Sequence, residues 1–165
     1  NGTALIFCDY IIDSQAYQNE YESKNGAYYI KGTNTYANNY EKSTIRKWLN
    51  ETFLTTAFTA GQIEDYILTT TVDNSARSTN PNNNATQWNS GNNTYACANT
   101  QDKVFLLSEQ EITNSAYGFD SDCSNSDTAR RRKTTSYAQA QGAYTYSGGS
   151  YDGNGVHCDK HQHDV

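Results

Sequence analysis

The residues with the strongest chemical character gather in two short stretches. Asp120, Asp122, Ser124 and Asp127 offer side-chain oxygens at i, i+2, i+4 and i+7, and a hard cation such as calcium needs several oxygens converging from one short loop. The EF-hand form of that loop is excluded, because it wants glycine at its sixth position, where Asn125 stands, and an acidic residue at its twelfth, where Arg131 stands. An irregular calcium loop fits these residues, and so does a turn rich in Asp and Ser that caps itself by local hydrogen bonds. All 3 histidines, His157, His161 and His163, cluster around Cys158 in the tail, a set able to ligate a transition metal. With Gly155 before it and no apolar support, the same tail also reads as a solvated terminal segment.

Nothing in the sequence builds a catalytic site around these groups. No Gly-x-Ser-x-Gly elbow, phosphate-binding P-loop or His-Glu-x-x-His occurs, and a Cys/His pair confined to the tail lacks a scaffold to orient it. The chain is therefore read as non-catalytic and without a required cofactor; calcium or a transition metal are the ions its residues would suit. A metal-dependent enzyme using the terminal histidines is the least favoured reading.

What remains is binding. Trp88, Tyr95, Tyr117, Tyr144, Tyr146 and Tyr151 stand in stretches rich in Asn and Thr, the composition that stacks on sugar rings or peptide faces while hydrogen-bonding around them. The plainer alternative is that each ring packs its own loop onto the domain. The surrounding composition agrees with an extracellular recognition surface: 18% charged residues, 14 tyrosines, and Asn, Thr and Ser making up about a third of the chain. A net charge of -6, with basic residues scattered except for Arg130, Arg131, Arg132 and Lys133, argues against nucleic acid, which needs a basic face. That basic run is read as solvated. No apolar stretch approaches the roughly 20 residues that span a bilayer. Cys8, Cys97, Cys123 and Cys158 are far apart with no C-x-x-C pair, which leaves two disulfides in three connectivities, or free thiols with Cys8 as a small buried hydrophobe.

The elements that must position these residues are short. Residues 4–12 carry Leu5, Ile6, Phe7, Tyr10, Ile11 and Ile12 and read as a buried strand, followed by a polar connection over 15–26 and a short strand at Tyr28, Tyr29 and Ile30. The strongest helix is 43–54, N-capped by Ser43, with Ile45, Trp48, Leu49 and Phe53 on one face and Arg46 and Lys47 solvated off it. Thr59 and Gln62 form a capping box for a helix at 60–66 with Ile63, Tyr66 and Ile67 as its stripe, and the threonines of 68–72 favour a strand. After a long polar stretch over 73–101, residues 103–107 read as a second buried strand, Ser108 and Glu111 as another capping box, and 135–142 as a helix closed by Gly142. Helices set among short strands and long polar loops give an α+β class.

These motifs carry a resemblance. Residues 43–50 (STIRKWLN), then Phe53, Phe58 and Ile63, then 102–111 (DKVFLLSEQE), and finally 129–131 with 137–143 (YAQAQGA), resemble a bacterial domain family of unassigned function. Such domains occur in secreted and surface proteins of anaerobic gut-type bacteria. The resemblance implies a C-type-lectin-like fold related to formylglycine-generating enzymes: two main helices, short antiparallel strands and long polar loops. It divides the chain into a domain at 1–146 and a Gly-rich turn with a His-rich tail at 147–165. The family's Trp-containing first strand and its later Trp-rich core strand have no match, and the chain contains 0 methionines, so it is expected to be a processed or partial form of the domain. The function implied is a non-catalytic extracellular or cell-surface module that binds glycan or protein through Tyr- and Trp-bearing loops. The alternative is an assembly subunit, filament or adhesin-like, completed by strands from neighbouring copies.

Overall fold

A computed structural model of the chain describes residues 2–75, 96–122, 127–143 and 155–156. Its helices are few and its strands short, a mixed α and β architecture compatible with the α+β class. Strands β1 (Tyr10–Ile11), β6 (Arg132–Thr134) and β7 (Gly155–Val156) form one sheet in the order β1-β6-β7, while β2 (Tyr21–Lys24) pairs with β3 (Ala27–Ile30), and β4 (Thr70–Val72) pairs with β5 (Thr100–Asp102). Four of these strands form the antiparallel pairs β2-β3 and β4-β5 and β6-β7 is antiparallel too, but β1 runs parallel to β6, with Tyr10 opposite Lys133 and Ile11 opposite Thr134.

The β2-β3 hairpin lies partly within what reads as polar connection. Asn25 and Gly26 close it with φ of 53° and 79°, the pair of positive values that a type I′ turn requires and that Asn-Gly supplies at least cost. The register Lys24 opposite Ala27 follows from that two-residue turn.

The expected helix at 43–54 forms and runs further, in three consecutive pieces: α1 (Thr44–Trp48), a π-helical turn (Leu49–Phe53) and α2 (Leu54–Ala57). Ser43 caps it, its Oγ accepting from the Arg46 backbone N–H at 3.2 Å. The π turn has a packing reason. Leu49 and Leu54 are 8% and 6% exposed; five residues apart, they would sit about 140° from each other on an α-helix at about 100° per residue. Widening one turn brings both to the buried side. The core is small: Tyr40, Ile45, Leu49 and Val72, with Tyr17, Trp48, Phe53, Val104 and Phe105 packed around them. Trp48 and Phe53 meet at 5.2 Å between ring centroids.

The two capping boxes are present. Gln62 Oε1 accepts from Thr59 N–H at 2.8 Å ahead of α3 (Ala60–Asp65), and Glu111 Oε2 accepts from Ser108 N–H at 2.8 Å ahead of α4 (Glu109–Ile112). Thr135 caps α5 (Ser136–Ala140), which ends at Gly142 with φ 96°, a left-handed position that suits glycine. Tyr66 departs from its expected stripe, being 79% exposed just past the end of α3.

Three further expectations are corrected. Residues 4–12 are no buried strand: only Tyr10–Ile11 pairs, while Ile6 is 83% exposed and Leu5, Phe7, Tyr10 and Ile12 are all exposed, as is Cys8. An apolar run says that a segment wants cover, not where the cover stands. The strand expected at 103–107 lies a few residues earlier, at Thr100–Asp102, because its partner Thr70–Val72 pairs with those residues and Asn50 takes the backbone that follows. Two arginines read as solvated are not: Arg130 is itself buried, and Arg46 pairs with the buried Asp102, as described below.

Candidate functional site

Two polar constructions hold the loops that shape the surface. In the first, Asp102, with a side chain 1% exposed, accepts from Arg46 Nε at 2.9 and 3.1 Å and from Thr100 Oγ1 at 2.6 Å. Asn74 Nδ2 donates to Thr100 Oγ1 at 3.1 Å and to the Ala98 carbonyl at 3.0 Å, and Arg46 Nη1 donates to the Glu41 carbonyl at 3.0 Å. Asn50, in the π turn, donates to the Val104 carbonyl at 2.8 Å and accepts from Lys103 N–H at 2.8 Å. Lys103 Nζ in turn donates to the carbonyls of Ile63 and Ile67 at the end of α3, where a cation meets the helix's unpaired carbonyls. Arg46, Asn50 and Lys103 thus tie the long helical run to β5 and α3. Burial raises the pKa of the neighbouring Tyr17 and Tyr40 phenols, and their proximity to Cys97 adds to the shift.

The second construction is the turn at 120–130. Asp127 accepts from the backbone N–H of Asp120 and of Ala129, each at 2.8 Å. Those two bonds and the Arg130 guanidinium at 3.7 Å hold its carboxyl below the usual carboxylate range. Asp120 Oδ1 accepts from Asp122 N–H at 2.8 Å. Arg130, 8% exposed, donates to the carbonyls of Ile112, Asp120 and Asp122. Of the four residues considered for calcium, Asp120, Asp122 and Asp127 therefore lie in one turn, where Asp120 and Asp127 spend side-chain oxygens on the turn's own backbone, and Ser124 lies outside the described residues. Among the described residues no group of three or more His, Cys, Asp or Glu is placed to hold a metal ion. His157, His161 and His163 lie outside the described residues.

Between this turn and the N-terminal segment opens a cleft of about 540 Å³, within the size range of small-ligand sites. Leu5, Phe7 and Asp9, at alternate positions of the N-terminal segment, line it together with Leu107, Tyr117 and Phe119. Phe119, 7% exposed, meets Phe7 edge-on at 5.6 Å. Arg132, also in the lining, lies over the Phe7 ring, its guanidinium carbon 4.3 Å from the ring centroid, a cation–π contact. Arg132 Nε donates to the Cys8 carbonyl and Nη1 to the Arg131 carbonyl, each at 2.8 Å. Tyr117, 52% exposed, is the one aromatic of the expected binding set that the described residues include, and it lines the cleft. Trp88, Tyr95, Tyr144, Tyr146 and Tyr151 lie outside the described residues. Phe7, Phe119 and Arg132 escape sequence reasoning, because the contact joining Cys8 to Arg132 spans 124 residues; nothing local marks it.

A chain of short strands and helices with a polar surface and an aromatic cleft belongs to the class of small mixed α and β domains. More narrowly, a family described as a domain of unknown function, DUF6273, matches residues 1–154, and the chain belongs to that family. In the same comparisons no curated protein and no solved structure matched. No helix among the described residues is long and apolar enough to cross a membrane.

Proposed function

We propose that this chain is a non-catalytic recognition module of a bacterial extracellular or surface protein, of C-type-lectin-like fold, that binds glycan or protein. The fold assignment rests on the sequence motifs and their order. The observation that carries the function is the cleft, whose lining joins Leu5, Phe7, Leu107 and Phe119 to the Tyr117 side chain and the Arg132 guanidinium. Apolar surface with a few convergent polar groups is the usual make-up of a binding site. The experiment is to probe glycan and peptide arrays with wild type, Tyr117→Ala and Thr128→Trp, the last filling the cleft from an exposed lining position. Ligand signal lost in both variants, with unchanged thermal unfolding, supports the reading; signal unchanged in both refutes it. A parallel Trp88→Ala variant tests the loop share of binding.

A second reading is favoured by one observation. Ile6, Tyr10 and Ile12 are 83%, 51% and 42% exposed beside a two-residue edge strand, and bare apolar strand edges pair with other chains. On this reading the chain is an assembly subunit whose sheet is completed by a neighbour. Light scattering and negative-stain imaging that show a monomer at all concentrations would sink it.

A further inference from the structure

We infer that the ligand of this cleft is a peptide carrying an apolar side chain and a carboxylate, the side chain seated among Phe7, Leu107 and Phe119 and the carboxylate paired with Arg132. The inference rests on the recognition reading above and names its ligand class. Arg132 is the first reason. Its Nε and Nη1 are pinned to the carbonyls of Cys8 and Arg131 and its guanidinium carbon sits 4.3 Å from the centre of the Phe7 ring. No carboxylate of the described residues pairs with it, and its Nη2 has no partner among them. A guanidinium fixed in place, in a chain of net charge -6, is an anion site whose ordering cost is already met. Asp9 in the same lining would repel a densely anionic polymer, so a single carboxylate beside an apolar group fits better than an acidic polysaccharide.

The walls give the second reason. Phe7 has one face under Arg132 and meets Phe119 edge-on, and Leu5, Leu107 and Ala129 add aliphatic surface beside them. A pyranose wants an open aromatic face, which neither Phe7 nor Phe119 presents, whereas the surface around these two rings suits a Leu-, Ile- or Val-like side chain. The third is the backbone of residues 4–7, which makes no hydrogen bond to the described residues. Its N–H and C=O groups are available to a peptide laid alongside, in the manner of an added strand.

The test uses the whole chain against a positional-scanning library of N-acetylated, C-terminally amidated peptides, a matched library in which Asn and Gln replace Asp and Glu, and a panel of neutral and uronate oligosaccharides. The expected result is retention of peptides with an apolar residue close to an acidic one, and a loss of about 10-fold or more in the amide library, as a charge-assisted hydrogen bond implies. Arg132→Gln should erase the difference between the two libraries, and Arg132→Lys should restore part of it, with a salt dependence that the Gln variant lacks. Equal binding of acids and amides, or an Arg132→Gln variant of wild-type preference, overturns the inference and leaves the cleft reading standing. Oligosaccharide binding alone, lost in Thr128→Trp, does the same. Retention of neither ligand class overturns both.

Discussion

Replacing Asp102 by Asn keeps the side chain's shape and removes its charge, at the point where the helical run, β4 and β5 meet. The carboxylate is 1% exposed and takes three hydrogen bonds, two from Arg46 Nε and one from Thr100 Oγ1. Removing one partner of a buried ion pair costs about 3–5 kcal/mol. Arg46 is 27% exposed and keeps its bond to the Glu41 carbonyl, so the charge left behind is partly hydrated. The lower end, about 3 kcal/mol, is therefore expected for Asp102→Asn. In a chain of this length, at about 2–4 °C per kcal/mol, the melting temperature should fall by roughly 6–12 °C. Arg46→Leu should cost more, about 4–5 kcal/mol, because it strands a carboxylate that water cannot reach. The assay is urea unfolding followed by tryptophan fluorescence, with Asp102→Leu and the Arg46→Leu/Asp102→Leu double variant completing a cycle. A cost below about 1 kcal/mol for Asp102→Asn at unchanged slope, or a cycle whose single losses simply add, would refute the idea that this pair holds the elements together.

Asn50→Ala should destabilise by about 2–3 kcal/mol, since it leaves the Lys103 N–H and Val104 carbonyl without their partner; calorimetry checks it, and Asn50→Asp, which still accepts but cannot donate, should fall between. Asp127 is held below the usual carboxylate range in the folded chain. Its contribution is thus complete above its unfolded pKa of about 3.9 and is lost as pH falls through the lower folded value. The stability gap between wild type and Asp127→Asn should accordingly be constant near neutrality and close in strong acid, as chemical unfolding across pH would record. Gly142→Ala places a Cβ at φ 96° and should cost about 1 kcal/mol by thermal unfolding, with no change in the cleft.

The parts of this fold that could be read from sequence are those whose physics is local. The boxes Thr59/Gln62 and Ser108/Glu111, the Ser43 cap and Gly142 each involve residues within a few positions, and each stands where its motif places it. The Asn25-Gly26 turn was equally local; its hairpin is masked by a polar neighbourhood that resembles a loop. By contrast Arg46 and Asp102 are 56 residues apart and Arg132 and Cys8 124 apart, and no spacing rule selects one arginine from a run as buried and another, two residues on, as cleft lining. Helical phase misled for Arg46 because a side chain off the apolar stripe can still reach a buried acid at the stripe's edge. Of the proposed site, Tyr117 was legible as an exposed aromatic in a polar stretch; the walls it borders were not.

The pairing of β1 with β6 also sets a clock. Ile11 accepts from the backbone N–H and hydroxyl of Thr135, 124 residues away, so the first strand cannot find its place until nearly the whole described chain has been made. Contacts of such sequence separation form late and slowly, after the loop-closure entropy has been met. During synthesis the residues that wall the cleft therefore stay bare, an aggregation-exposed apolar stretch. The cleft is thus completed late, and a nascent chain halted before Thr135 would carry every helix up to α4 and the cleft's lining residues without the two Thr135 bonds that seat β1.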